Sequence, residues 1–188
     1  MNKASRQEAI LTGAIQLLAA KGLSGFTHRA VDQFADLPQG SSSYYFPKKI
    51  PFLIAVSAFL VDQLDQDCDG LQVSFSELIA EHGLDVARDL YAQALVEYLE
   101  ASRPLFLARI ELTLAAARND ELADIGEKLT VAARRPIAFG LKLISGRKED
   151  RQIETCAGLI DGITLIHATG QGQKPTAQQV SAVFRLIL

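Results

Sequence analysis

The chain has 188 residues, 48% of them hydrophobic, and a formal charge of −3, enough apolar material for one substantial core or for a small domain joined to a larger one. No window has the apolar length of a bilayer span, and the start Met-Asn-Lys-Ala-Ser-Arg-Gln-Glu holds no apolar signal region, so a cytoplasmic protein with no membrane partner is expected. Cys68 and Cys156 lie far apart with no ligand-spaced neighbours, which argues against a disulfide framework or a metal site and for two reduced, buried thiols with no cofactor.

No segment reads as strand-rich, and apolar residues recur at helical spacing throughout. The first helix is expected from Ser5 to Lys21, with Ala9, Ile10, Ala14, Ile15, Leu17 and Leu18 inward and Lys21-Gly22 as its stop. Thr27 is placed to cap a second helix carrying Ala30, Val31, Phe34 and Ala35. Asp36-Leu37-Pro38 interrupts it, and Pro38 can open a third helix that ends at Tyr45, because Phe46 precedes Pro47. A fourth helix begins near Lys48 or Lys49, with Pro51 in its first turn. Its stripe is Phe52, Leu53, Val56, Phe59, Leu60 and Leu64, and it is expected to stop at Gly70.

Further helices are expected over 74–81, 85–101, 104–118, 120–144, 149–169 and 176–188, with Asp120 and Thr176 as caps. Pro136 is expected to kink or split its helix, and Ser145-Gly146 to break the chain. The fold class is therefore all-α, with about nine helices. Residues 1–47 are expected to form a three-helix domain with a helix-turn-helix, and residues 48–188 a helical body.

The third helix is the informative one. Gln39, Gly40, Ser41, Ser42, Ser43 and Tyr44 are small or hydrogen-bonding residues, and a helix that only packed on a core would be richer in aliphatics. A helix-turn-helix places such a helix in a DNA major groove. Charge supports that placement: residues 1–50 hold six basic and three acidic residues, whereas the remainder holds thirteen and nineteen. A basic head on an acidic body fits a chain whose head alone meets phosphates.

The residues from Thr27 to Leu53, together with Ala14 to Gly22, resemble the DNA-binding domain of the TetR/AcrR family of bacterial transcriptional regulators. The resemblance runs without gaps through Phe26-Thr27, Val31 to Ala35, and Gly40-Ser41-Ser42-Ser43-Tyr44-Tyr45-Phe46-Pro47 to Lys49 and Leu53. A weaker likeness covers Ala108 to Leu112 and Ala117 to Leu122. Amides and hydroxyls both donate and accept, so Gln39, Ser41, Ser42 and Tyr44 are candidates for base edges, and Gly40 would allow close backbone approach. The resemblance assigns Tyr45 and Lys49 to phosphates; Thr27, His28 and Arg29 sit at a helix N-terminus, and Lys48 adds charge. Ser43 is expected to face inward or toward backbone. Asp36 stands where the family commonly has Gly, so a left-handed backbone is expected there, with an acid near the DNA.

The resemblance further implies a one-component regulator, a repressor in its usual form. It would bind a palindromic operator as a homodimer through its last two helices and be released by an unknown small-molecule effector. Ala157, Gly158 and Gly162 with Leu159, Ile160, Ile163, Leu165 and Ile166, then Val180, Val183, Phe184 and Ile187, supply the interface. Candidate effector-lining residues are Tyr91, Leu95, Tyr98, Phe106, Arg109, Thr113 and His167, a mostly apolar set with a few polar groups. Two other classes compete. An enzyme would need a nucleophile with a base, or metal ligands in reach, and His28, His82 and His167 are widely separated. A helical ligand- or protein-binding module that does not regulate DNA is the alternative reading of the body.

Overall fold

The computed structural model describes residues 3–145 and 150–185. Among the described residues it contains nine α-helices, two 3-10 turns and no strand, which is the all-α class expected. The helices are α1 (Lys3–Lys21), α2 (His28–Phe34), α3 (Ser41–Tyr45), α4 (Lys49–His82), α5 (Leu84–Ala101), α6 (Arg103–Ala116), α7 (Ala123–Ser145), α8 (Asp150–Ala168) and α9 (Ala177–Arg185). None of them is long and apolar enough to cross a membrane. The expected break at Ser145-Gly146 and the residues Ile187 and Leu188 fall at or beyond the limits of the described residues.

The chain folds as two compact units, Met1–Gln63 with Pro104–Val131, and Leu64–Arg103 with Ala132–Leu188. In the first unit, α1 buries Ile10, Ala14, Ile15, Leu17 and Leu18, α2 buries Val31, and α4 buries Phe52, Leu53 and Val56. Phe52 is the hub. Phe46 stacks on it at 4.6 Å and Phe26 tilts against it at 5.1 Å, arrangements that add to the area they bury. Gly13 lets α1 and the end of α2 touch: a Cβ there would lie 2.7 Å from the Ala35 backbone nitrogen.

In the second unit Phe75, Tyr91 and Phe184 bring α4, α5 and α9 together, with Phe75 and Tyr91 stacked at 4.2 Å. A Cβ on Gly140 of α7 would meet the Tyr91 ring at 2.4 Å, and the Tyr91 hydroxyl donates to the Pro136 carbonyl at 2.8 Å. Arg135 donates to both Asp65 and Asp69, a fork that ties α7 to α4. Cys68 and Cys156 are buried free thiols, and burial pushes both above the usual thiol range.

Three element expectations need correction. The fourth helix does not stop at Gly70 but runs on to His82, absorbing the separate helix expected over 74–81. A glycine in a helix costs about 1 kcal/mol, and the Arg135 fork and the buried Phe75 on the same helix offset it. The stop is Gly83, whose φ of 77° is open to glycine without strain. The third helix begins at Ser41 rather than Pro38, because Gly40 turns left-handed at φ 96°. Asn119, not Asp120, is the cap; its side chain accepts from the Glu121 N–H, and a 3-10 turn over Asp120–Leu122 leads into α7. Of the kink or split expected at Pro136, the split does not occur: α7 runs through it. Thr176 caps α9 as expected, reciprocally with Gln179.

Candidate nucleic-acid interface

The expected reading helix is held from behind by a side chain. Asp32 of α2 is buried, and its two carboxylate oxygens accept from the Gly40 and Ser42 backbone N–H groups, each at 2.7 Å. One carboxylate thus satisfies two amides at the opening of α3, which a five-residue helix cannot satisfy internally. Ser42 is also buried, and its hydroxyl donates to the His28 carbonyl at 3.1 Å. The structure therefore places Ser42 on the inner side of α3.

The outer side of α3 is different. Gln39, Gly40 and Ser43 are exposed, and Tyr44 is 80% exposed. Ser41 is half-buried, and its hydroxyl donates to the Pro38 carbonyl at 2.6 Å; the Ser43 hydroxyl donates to the Gly40 carbonyl at 3.0 Å. Tyr45 is half-buried, edge-on to Tyr44 at 5.1 Å between ring centres.

His28 brings the start of α2 to the end of α3. Its Nε2 lies 2.6 Å from the Phe46 carbonyl, so Nε2 carries the proton, and its ring stacks on Phe52 at 5.6 Å. Thr27 and Arg29 on either side of His28, and Lys48 and Lys49 beyond Phe46, are exposed. Thr27 caps α2, accepting from the Ala30 N–H at 3.2 Å. Asp36 adopts φ 52°, the left-handed backbone expected of it. Asp32 is buried, so of the three acids in residues 1–50 only Glu8 and Asp36 are exposed.

The seven candidate effector residues divide between the units. Phe106, Arg109 and Thr113 belong to the first, at helical spacing on one side of α6. The Arg109 guanidinium is buried over the Phe106 ring at 4.8 Å, and the Thr113 hydroxyl oxygen is buried without a hydrogen-bond partner. Tyr91, Leu95, Tyr98 and His167 belong to the second unit. Tyr91 and Leu95 are core residues there, and burial pushes both tyrosine phenols upward. His167 pairs with Glu100 at 3.0 Å, a hydrogen bond that holds the Glu100 carboxyl below its usual range. Among the described residues no group of three His, Cys, Asp or Glu side chains is placed to hold a metal ion.

A helix-turn-helix formed by α2 and α3 beside α1, followed by six further α-helices among the described residues, defines an all-α class of protein. Residues 84–188 match the family model described as Tetracyclin repressor-like, C-terminal domain, and the chain belongs to that TetR family. Solved structures share the fold over nearly its whole length. A TetR family member from Streptomyces coelicolor A3 superposes with a TM-score of 0.70 at 22% identity, covering 97% of this chain and 98% of that one. A putative TetR-family regulator from Mesorhizobium loti gives 0.72 at 14% identity, with 100% and 96% covered. The multidrug binding protein EbrR complexed with ethidium gives 0.63 at 22% identity, with 100% of both chains covered. No curated protein matches the sequence.

Proposed function

We propose that the chain is a one-component transcriptional regulator, a repressor that binds a palindromic operator as a homodimer and leaves it when a small organic molecule binds the body. The observation that carries the reading is the two-sidedness of α3, whose inner side is pinned by Asp32 and Ser42 while Tyr44 projects almost fully into solvent. A large aromatic held rigid and bare on so short a helix has little structural use. Gln39, Ser41 and Tyr44, with Gly40 backbone beside them, read bases in this proposal; Thr27, Arg29, Tyr45, Lys48 and Lys49 hold phosphates. His28 and Ser42 position the reading edge without touching DNA.

The dimer forms through α8 and α9. Leu159, Leu165 and Ile166 of α8 are exposed, and Gly158 has nothing within 4 Å of where a Cβ would be, so a second helix can approach closely. Val180, Val183 and Phe184 of α9 serve their own core instead, so in this reading α8 supplies the apolar part of the partner surface and α9 its exposed Gln178, Ala182 and Arg185. The effector site includes Phe106, Arg109 and Thr113, where an unpartnered hydroxyl and a buried guanidinium offer polar groups amid apolar walls. EbrR, a protein of the same fold, is a multidrug binding protein crystallised with ethidium, which is in keeping with an organic effector here. The body acts on the head through α4, one uninterrupted helix with residues in both units.

Selecting duplexes from a random pool with the purified chain tests the reading. The expected result is a palindrome with half-sites about one helical turn apart, roughly 34–36 Å. A pool that shows no enrichment at low salt, where phosphate contacts are strongest, overturns it and leaves the body as a binding module.

A further inference from the structure

The first unit holds a cavity of about 320 Å³ to which the reading above gives no role. Its walls are Ile50 and Leu53 of α4, Leu114 of α6 and Leu122 of the 3-10 turn. Lys49, Glu111 and Arg118 supply the charges. Glu111 is already engaged: its Oε2 accepts from the Leu23 N–H at 2.8 Å, and its carboxylate packs where a Gly22 side chain would sit. The side chains of Lys49 and Arg118 make no ion pair or hydrogen bond among the described residues. Asn119, also on the wall, uses its side-chain oxygen to accept from the Glu121 N–H, so its NH₂ remains as a donor.

Two cations and one carboxylate leave the cavity with one positive charge in excess, beside aliphatic walls. We infer that it takes a small organic monoanion, a carboxylate with a compact apolar body, whose charge meets Lys49 and Arg118 and whose body lies against Leu53, Leu114 and Leu122. The volume suits a single fused-ring or short-chain acid. Lys49 is also a phosphate contact in the proposed function, and to that extent the inference rests on it: an anion seated here takes Lys49 away from DNA directly, a route separate from the effector site around Thr113. An acid bound in this cavity therefore weakens DNA binding by competition for one lysine, without a conformational change in the body.

The test uses the full chain with 2-naphthoate as probe and 2-naphthalenemethanol as its uncharged counterpart, titrated by calorimetry. The expected result is saturable binding of one naphthoate per chain, with the alcohol at least fivefold weaker. Arg118→Gln, a change at an exposed position, lowers naphthoate affinity roughly fivefold, the scale of one partly exposed ion pair. Leu114→Trp, also at an exposed position, narrows the cavity and lowers the affinity for both probes. Circular dichroism of each variant checks that it is folded. Naphthoate that fails to bind, or that binds both variants as it binds the parent, overturns the site. Equal affinity for acid and alcohol overturns the assignment of an anion. Naphthoate binding by a chain that selects no DNA supports the cavity while removing the regulator reading, so the two failures are distinguishable.

Discussion

The head around α3 and the core around Tyr91 are built on opposite plans. In the head, order comes from directed polar contacts: one carboxylate on two amides, a serine on a carbonyl, a histidine on another. In the core around Tyr91 it comes from shape, with Phe75 and Phe184 stacked on Tyr91, the Tyr91 ring against Gly140, and the Tyr91 hydroxyl reaching Pro136. A five-residue helix has too little apolar surface to be held by packing, so it is held by hydrogen bonds that fix its angle. A body assembled from helices of 9 to 34 residues can be held by area. The head is thereby rigid where it must present an edge.

The largest effect expected from this contrast is at Asp32. Asp32→Ala strips both amides of their acceptor and should cost about 2–4 kcal/mol, with loss of DNA binding beyond what destabilisation explains. Urea unfolding beside a mobility-shift titration measures both, and Asp32→Asn, which keeps one acceptor, should fall between. Gly140→Leu forces the Tyr91 ring from its seat and should cost about 1–3 kcal/mol of stability, leaving operator preference unaltered in the fraction that folds. Tyr91→Phe removes one buried hydrogen bond and should cost about 1 kcal/mol by the same unfolding measurement.

Smaller still in stability, and larger in meaning, are the outer positions. Lys49→Ala should weaken binding to every duplex and lower the slope of log affinity against log salt by about one ion. Tyr44→Ala should change stability by no more than roughly 0.5 kcal/mol, since the side chain is nearly bare, yet should alter the sequences enriched in a selection. A Tyr44 variant that unfolds the head would dissolve the distinction between holding and reading sides.

The contrast also explains what could be read from the chain beforehand. The helix-turn-helix, its capping threonine and the left-handed Asp36 are written in runs of a few residues, where local chemistry decides. Asp32 escaped notice because its partners lie eight and ten residues away. The available signal was an acid next to the apolar Val31 on a short helix, followed by a glycine and serines in need of an acceptor. Gly70 misled for the converse reason: local propensity favoured a stop, and Arg135, sixty-six residues distant from Asp69, overruled it. Gly13 and Gly140 look in the sequence like weak points of their helices, yet each marks a close approach that only the folded chain reveals. The division of the effector candidates between two units and the cavity beneath Lys49 likewise depend on contacts remote in sequence.

The anchoring of α3 through Asp32 and Ser42 has a practical consequence. Since the helix is aimed by residues that never meet solvent, positions 39, 41 and 44 form an interchangeable face on a fixed mount. A combinatorial library varied at those three positions should stay folded in most of its members and yield proteins addressed to different DNA sites. The same library built with Asp32→Ala should yield few.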